Sequence, residues 1–338
     1  MEPKKKILFT YSTLSTFVKT DFEILSEKHV VTRYQFKPVK GLINTALQFG
    51  KQFIFLLFGI WKFDMVFIWF ADFHSFLPVL FAKILNKKSV VVIGGYDVVK
   101  MPKLNYGVFT SKIRGYCSLF SMRKSTLNLA VSENVKRKVR WIAKKSNTIL
   151  IYNCINIPEN KSLPENKENL ILTVGIIDSK RTFYLKGMDT FTEVAGLLPQ
   201  FRFMVVGMNK DLPSCILRHI PENIEFIERV NHNELENYYK KARVYCQFSR
   251  SESFGVAIVE AMYFNCIPVV TNVGGMPELV RNYGFVTPRD ALEISRLIAN
   301  VMNKTAMLLT DTDKNIALKP FLFSERKQKL TEQINQLF

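Results

Sequence analysis

A chain of 338 residues that is 48% hydrophobic and 22% charged has the make-up of a globular α/β protein, long enough for two domains with sizeable cores. Its five cysteines (Cys117, Cys154, Cys215, Cys246, Cys266) are scattered, odd in number and free of any CxxC pair, which argues against a disulfide framework or zinc site and for a reducing compartment. The formal charge of +18 is lopsided: residues 1–165 carry 26 Lys/Arg against 10 Asp/Glu, whereas residues 166–338 carry 21 against 19.

The N-terminus, MEPKKKILFTYSTLSTF, opens on lysines, but the apolar run that follows is short and reads as a first strand, not a signal peptide. Further apolar runs at 29–36, 64–70, 89–95 and 126–132 read as strands, separated by helix-length amphipathic segments. The most apolar region, 41–70, is interrupted by Lys51, Gln52, Lys62 and Asp64, so no membrane-spanning helix is expected. The polar stretch 153–169, with Pro158 and Pro164, reads as a linker. Strand-like runs then resume at 168–175, 202–207, 223–230, 242–249 and 266–272, and the last segment, 323–338, reads as a helix opened by a Ser cap. Apolar strands alternating with helices imply βαβ units and parallel sheets wound on both faces. The expectation is two Rossmann-like domains, 1–155 and 168–322, with 323–338 a terminal helix free to pack back on the first domain. Ligands of such sheets sit beyond the carboxyl ends of the strands, and the cleft between the domains is the expected site.

The informative stretch is ESFGVAIVEAMYFNCIPVVTNVGGMPELV, residues 252–280. A strand ends near Ser249, a short loop follows, and Gly255 opens an apolar helix. Glycine there permits close approach of a ligand to the backbone, and the amides of Ser253, Phe254, Gly255 and Val256 face an anion favoured by the helix dipole. Glu260, inside the helix, can accept two hydrogen bonds from vicinal ribose hydroxyls. Glu252, before it, can hold sugar hydroxyls or face developing positive charge at an anomeric carbon. Two glutamates eight apart are unremarkable alone; the strand, loop, SFG, helix, PVV and VGG around them give them weight. The stretch resembles the E-x7-E signature of retaining GT-B glycosyltransferases, glycosyltransferase family 4, the glycosyl transferases group 1.

That resemblance implies a donor site in the second domain. In LTVGIIDSKRTFYLKGMDTF (172–191), Gly175 matches the strand-end glycine and Lys186 the cation that meets the donor diphosphate. Relatives carry Arg directly after that glycine; Ile176 stands there here, and Arg181 is the candidate replacement, the alternative being a solvated basic loop. Gly207 ends another strand, and Arg229 and Val230 fall where the family frames the nucleobase with backbone atoms. Asn272 to Gly275 is read either as the turn behind the diphosphate or as plain turn chemistry. In the first domain, Gly94 occupies the place of the family's histidine, so no histidine role carries over. Gly95 and Asp97 follow it, and Asp97 is read either as a sugar contact, entered among the catalytic candidates with Glu252, or as a turn-stabilising acid. His74 is a second acceptor-side candidate, a structural histidine being the other reading. Lys19 stands near a first loop whose Ser and Thr replace the usual glycines. Asp311-Thr312-Asp313 has the DxD form of a metal site but precedes no βαβ unit, and the first βα turn has no GxGxxG, so neither a metal nor a dinucleotide cofactor is expected.

The resemblance implies metal-independent transfer of a sugar from a nucleotide-sugar donor to a saccharide or lipid-linked acceptor. A sugar-nucleotide 2-epimerase and a non-catalytic subunit of the same fold are the alternatives. The basic half, densest at Lys136, Arg137, Lys138, Arg140, Lys144 and Lys145, is read as a face for an anionic membrane surface, or as a solubilising face. No nucleic-acid motif accompanies it, and the expected location is the cytoplasm, peripheral to the plasma membrane.

Overall fold

The computed structural model describes residues 4–157, 167–209, 220–281, 283–303 and 311–338. Pro158, Pro164 and Cys215 lie outside the described residues. The chain divides into two compact units, Met1–Cys154 with Phe323–Phe338, and Ile155–Leu322.

The first unit is a six-stranded parallel sheet ordered β2-β1-β3-β4-β5-β6. Its strands are β1 (Lys6–Tyr11), β2 (Val30–Gln35), β3 (Met65–Trp69), β4 (Lys88–Ile93), β5 (Leu127–Ala130) and β6 (Thr148–Leu150). The crossovers contain α1 (Thr16–Lys28), α2 (Leu42–Gly59), α3 (Phe73–Ile84), α4 (Lys112–Lys124) and α5 (Glu133–Ile142). Central strands buried on both faces need side chains that are apolar throughout, and MVFIW of β3 is buried at every position. Edge strand β2 instead exposes Val30, Thr32 and Arg33.

The second unit repeats the plan, ordered β12-β11-β10-β7-β8-β9. Its strands are β7 (Glu168–Ile177), β8 (Arg202–Met208), β9 (Ile224–Ile227), β10 (Ala242–Gln247), β11 (Ile267–Thr271) and β12 (Phe285–Thr287). The paired strands are parallel throughout. Helices α6 (Lys180–Leu185) and α7 (Met188–Leu197) follow β7. Phe191, Val194, Phe203, Val205, Val244, Ile294 and Ile298 form the core between sheet and helices.

Two features differ from the sequence reading. β6 and β12 have three residues each and close one edge of each sheet; TIL and FVT are too short to show a period. The stretch Ile43–Lys62 is one helix long and apolar enough, by length and composition, to cross a membrane, although most of it is exposed rather than buried. Lys51 and Lys62 interrupt its sequence without interrupting the helix.

The terminal helix Phe323–Asn335 is tied to the first unit by a buried ion pair. Arg326 donates to both carboxylate oxygens of Asp21, at 2.7 and 2.6 Å, and to the carbonyl of Tyr152 at 2.6 Å, while the indole of Trp69 donates to Asp21 at 2.9 Å. Every oxygen of that carboxylate is therefore satisfied, which is what makes a buried charge tolerable. Arg326→Leu strands Asp21 in the core and is expected to cost about 3–5 kcal/mol. Lys327→Ala, which breaks the exposed pair with Glu27 at 2.7 Å, should cost under about 1 kcal/mol. Urea denaturation of the two variants measures both.

Candidate active site

In the second unit, β10 lies between β7 and β11, and its carboxyl end delivers the loop that leads to Gly255. Arg250 anchors this loop: its amide donates to the carbonyl of Leu185 at 2.8 Å and its guanidinium pairs with both oxygens of Asp189, at 2.7 and 2.5 Å. Two residues later the backbone is gripped again. The Glu252 carbonyl accepts from the Gly275 amide at 3.0 Å. Gly274, at φ +63°, passes so close that a Cβ on it would stand 1.7 Å from that oxygen. The VGG turn is therefore a backbone clamp on Glu252 that only glycine permits.

The Glu252 carboxylate is held as firmly. Its Oε2 accepts from Lys186 Nζ at 2.9 Å and from Gln247 Nε2 at 2.7 Å. The Gln247 side-chain Oε1 accepts in turn from the Tyr245 hydroxyl at 3.0 Å. Lys186 is placed by α6, whose N-terminus is closed by a Ser179–Thr182 capping box and whose chain turns at Gly187, φ +71°, into α7. A Cβ on Gly187 would meet the Phe248 carbonyl oxygen at 2.0 Å, so the Lys-Gly pair is fixed by contact with the same loop. A Cβ on Gly175 would meet the Lys186 side chain at 3.8 Å, an ordinary contact, and one on Gly207, at φ +100°, would meet the Gly175 carbonyl oxygen at 2.4 Å. Gly175, Gly207, Lys186 and Glu252 are thus neighbours in one half-buried patch.

The helix Val256–Tyr263 begins at Gly255, φ +93°, with no side chain capping it. Its end therefore presents backbone amides, the arrangement that receives anions. Ser253 is half-buried, and Phe254 packs edge-on against Phe321 with ring centroids 5.6 Å apart, leaving its backbone as the part that can meet a ligand. Glu260 lies a little over a turn in. Its Oε2 accepts from the Tyr239 hydroxyl at 3.0 Å, and its Oε1 is 3.8 Å from Nε2 of the half-exposed His232. Burial pushes the Glu260 carboxyl up from its ordinary range, while His232 and the Tyr239 hydroxyl pull it back. Tyr245, fully buried, is raised well above the usual phenol range, first by burial and then by Glu252 and Glu260, which places one phenol within the field of both carboxylates.

The structure brings together Gly175, Lys186, Gly207, Glu252, Ser253, Phe254, Gly255 and Val256, with Glu260 along the same helix. Arg181 does not join the Lys186–Glu252 cluster; it is exposed at the second position of α6. Arg229 and Val230 lie in the loop after β9, exposed and half-buried respectively. Sequence reasoning missed Gln247, Tyr245, Tyr239 and His232. A glutamine ending the apolar run ARVYCQ was a legible signal, since a buried amide needs partners.

In the first unit, the Asp97 carboxylate is buried and accepts from the amides of Gly95 at 2.6 Å, Ala71 at 3.1 Å and Gly94 at 3.2 Å. It staples the turn after β4, the turn-stabilising role that the sequence reading set beside a sugar contact. Gly94 is glycine because a Cβ there would stand 2.1 Å from the ring of Phe70. His74 likewise makes the contact of a structural histidine. It is buried in the first turn of α3, its Nε2 2.7 Å from the Trp69 carbonyl, and desolvation holds it below the ordinary histidine range despite that bond. Gly95, at φ +110°, opens the short turn that carries Asp97. Lys19 is exposed on α1 beside Glu23, at 3.6 Å. Among the described residues no group of three or more His, Cys, Asp or Glu is placed to hold a metal ion. Asp311 opens the helix Asp311–Leu318, and the side chains of Asp311 and Thr312 lie outside the described residues.

Residues 156–317 match the family described as Glycosyl transferases group 1. An uncharacterized glycosyltransferase of Methanocaldococcus jannaschii is 24% identical over 280 residues, covering 82% of this chain and 74% of that protein. Among solved structures, sucrose-phosphate synthase from Thermosynechococcus elongatus superposes with a TM-score of 0.76 at 15% identity, covering 99% of both chains. HepE of Anabaena, in complex with UDP and glucose, superposes with a TM-score of 0.70 at 16% identity, covering 98% of this chain and 100% of that one. Two facts define the class: both sheets have the GT-B plan, and most of the second unit matches the group 1 family. The chain is a glycosyltransferase of GT-B fold.

Asp97 also sets a pH dependence. Burial raises its carboxyl from 3.8 to about 7, against the pull of its backbone amides. The folded value lies above the unfolded one, so the native state binds the proton more tightly. The associated stability is full below about 4 and is lost as pH rises through about 7. Thermal unfolding between pH 4 and 8 should show this slope in the native chain and a flatter one in Asp97→Asn.

Proposed function

We propose that the chain transfers a sugar, with retention at the anomeric carbon, from a nucleoside-diphosphate sugar to a hydroxyl of a saccharide or lipid-linked acceptor, as in the synthesis of cell-surface polysaccharide or glycolipid. The observation that carries this reading is the convergence, within one loop and helix, of an uncapped helix N-terminus, the Lys186 ammonium and two carboxylates, Glu252 and Glu260. The diphosphate sits at the helix end and Lys186, Glu260 takes the ribose hydroxyls, and Glu252 with the amides of Phe254 and Gly255 takes the sugar. Without donor, Lys186 is neutralised by Glu252. An arriving diphosphate draws Lys186 to itself, and Gln247 keeps the released carboxylate in place.

In the transfer step the bond from the anomeric carbon to the diphosphate oxygen breaks and a bond to the acceptor oxygen forms on the same face. The acceptor's proton passes to the departing phosphate. Lys186 and the helix amides offset the charge that builds on the leaving group, so the reading requires no metal. UDP-sugars are the first donors to test, because HepE was solved with UDP and glucose.

Glu260→Ala is expected to weaken donor binding at least about tenfold, the loss of charge-assisted hydrogen bonds to two hydroxyls. Titration calorimetry with UDP and UDP-sugars reads this, with Tm as the control for folding. An unchanged dissociation constant refutes the ribose assignment. Gln247→Leu should lower kcat about tenfold with donor affinity within about twofold, since it loosens Glu252 and leaves Lys186 in place. Transfer should persist in EDTA, and NMR of the product's anomeric proton should show retained configuration.

A further inference from the structure

Helix α2 is apolar on two opposite faces. Its inward face packs on the protein: Leu56 is buried, Gln52 is buried and donates to the His74 carbonyl at 2.9 Å, and Ile60 just beyond it is buried too. Its outward face carries Ile43, Leu47, Ile54 and Phe58, which fall within about 60° of one another at 3.6 residues per turn. Ile43 is 78% exposed, Phe58 75%, and Trp61, one turn on, 65%. An apolar stripe of this length open to water on a globular protein marks a surface that something covers.

The charges around it say what. No acidic residue occurs between Glu27 and Asp64, whereas Arg33, Lys37, Lys40, Lys51 and Lys62 do. Lys51 lies about 50° round from the middle of the stripe, on its shoulder, and Lys62 ends the 3-10 turn that follows α2. Two further features sit close by. A groove of about 350 Å³ runs beside the last turn, lined by Val30, Thr32, Phe55, Gly59 and Phe63 together with Lys6 and Lys62. The neighbouring helices α3 and α4 set Lys83 against Lys124, and Lys83 is held below the ordinary ammonium range chiefly by that repulsion. A crowded cationic pair is relieved by an anion.

We propose that α2 is an in-plane membrane anchor: its outward stripe enters the boundary between headgroups and acyl chains of an anionic bilayer, and Lys51 and Lys62 meet the lipid phosphates. A protein partner would have to be apolar and acidic at once over the whole helix; an anionic lipid surface is both. The helix lies on the membrane and does not cross it, because its other face is committed to the core through Gln52, Leu56 and Ile60. The inference goes beyond the donor reading and does not rest on it.

Vesicle sedimentation of the full chain tests it, with equimolar phosphatidylglycerol and phosphatidylcholine against pure phosphatidylcholine. Binding to the anionic vesicles should be at least about tenfold tighter and fall with salt. Ile54→Asp with Phe58→Asp, two exposed changes, should lower it at least about tenfold while UDP-induced thermal stabilisation stays unchanged. Lys51→Glu with Lys62→Glu should do the same without touching the stripe. In a Trp141→Phe background, Trp61 fluorescence should shift to the blue with anionic vesicles, Trp69 being buried and silent. Three results overturn the proposal. One is no binding to anionic vesicles. Another is unchanged binding by Ile54→Asp/Phe58→Asp, with loss only when Lys136, Arg137 and Arg140 are neutralised, which would place the membrane face on α5. The third is a dimer in light scattering that the double variant converts to monomer, which would make the stripe a contact between copies.

Discussion

Glu252 is held twice, by its backbone and by its side chain, and the local architecture of the second unit follows from that. The carbonyl is clamped by Gly275 and crowded by Gly274, while the carboxylate is shared between Lys186 and Gln247. Each grip comes from a different βα connection: VGG follows β11, Lys186 lies beyond β7, and Gln247 ends β10. Gly187 is glycine because two of these connections approach backbone to backbone, and Gly207 because β8 there meets the Gly175 carbonyl of β7. A site assembled in this way is preorganised, since moving any one loop breaks contacts in the other two.

Most of this was legible because glycine and charge leave marks that survive without an alignment. SFG, VGG and Lys-Gly each demand a particular backbone, and long buried strands such as ENLILTVGII announce themselves by composition. What escaped was of two kinds. Edge strands of three residues carry too few side chains for a pattern. Side chains such as Tyr239 and His232, which touch Glu260 from another helix, act through contacts that no local spacing encodes. Gln247 falls between: its chemistry was visible, and its target was not.

The first unit teaches the opposite lesson. Asp97 and His74 stand at the carboxyl ends of strands, where ligand-binding residues gather, and both turn out to secure the backbone there. Gly94 shows why the family's histidine is absent: the ring of Phe70, a residue at φ +69°, fills the space. A turn that has given its place to an aromatic ring needs a staple, and Asp97 supplies it with three amide bonds. Position in the fold therefore predicts where polar residues are needed, and only their hydrogen bonds tell whether they serve the turn or a substrate.

Charge and apolarity divide between the units in a way that packing alone does not require. The second unit is close to neutral and is organised around the loop that carries Glu252. The first holds nearly all the positive excess, and its apolar exposure is concentrated on α2. Solubility favours charges of both signs interspersed over a surface and large apolar side chains kept inside. A helix whose inner seam is ordinary core, whose outer seam is equally apolar and whose only charged residue is a lysine meets neither preference. At the proposed membrane such a sequence is satisfied on both sides, the inner face by the sheet and the outer face by acyl chains. That double satisfaction is what separates α2 from a buried helix, which has no second solvent, and from a spanning helix, which has no inner seam.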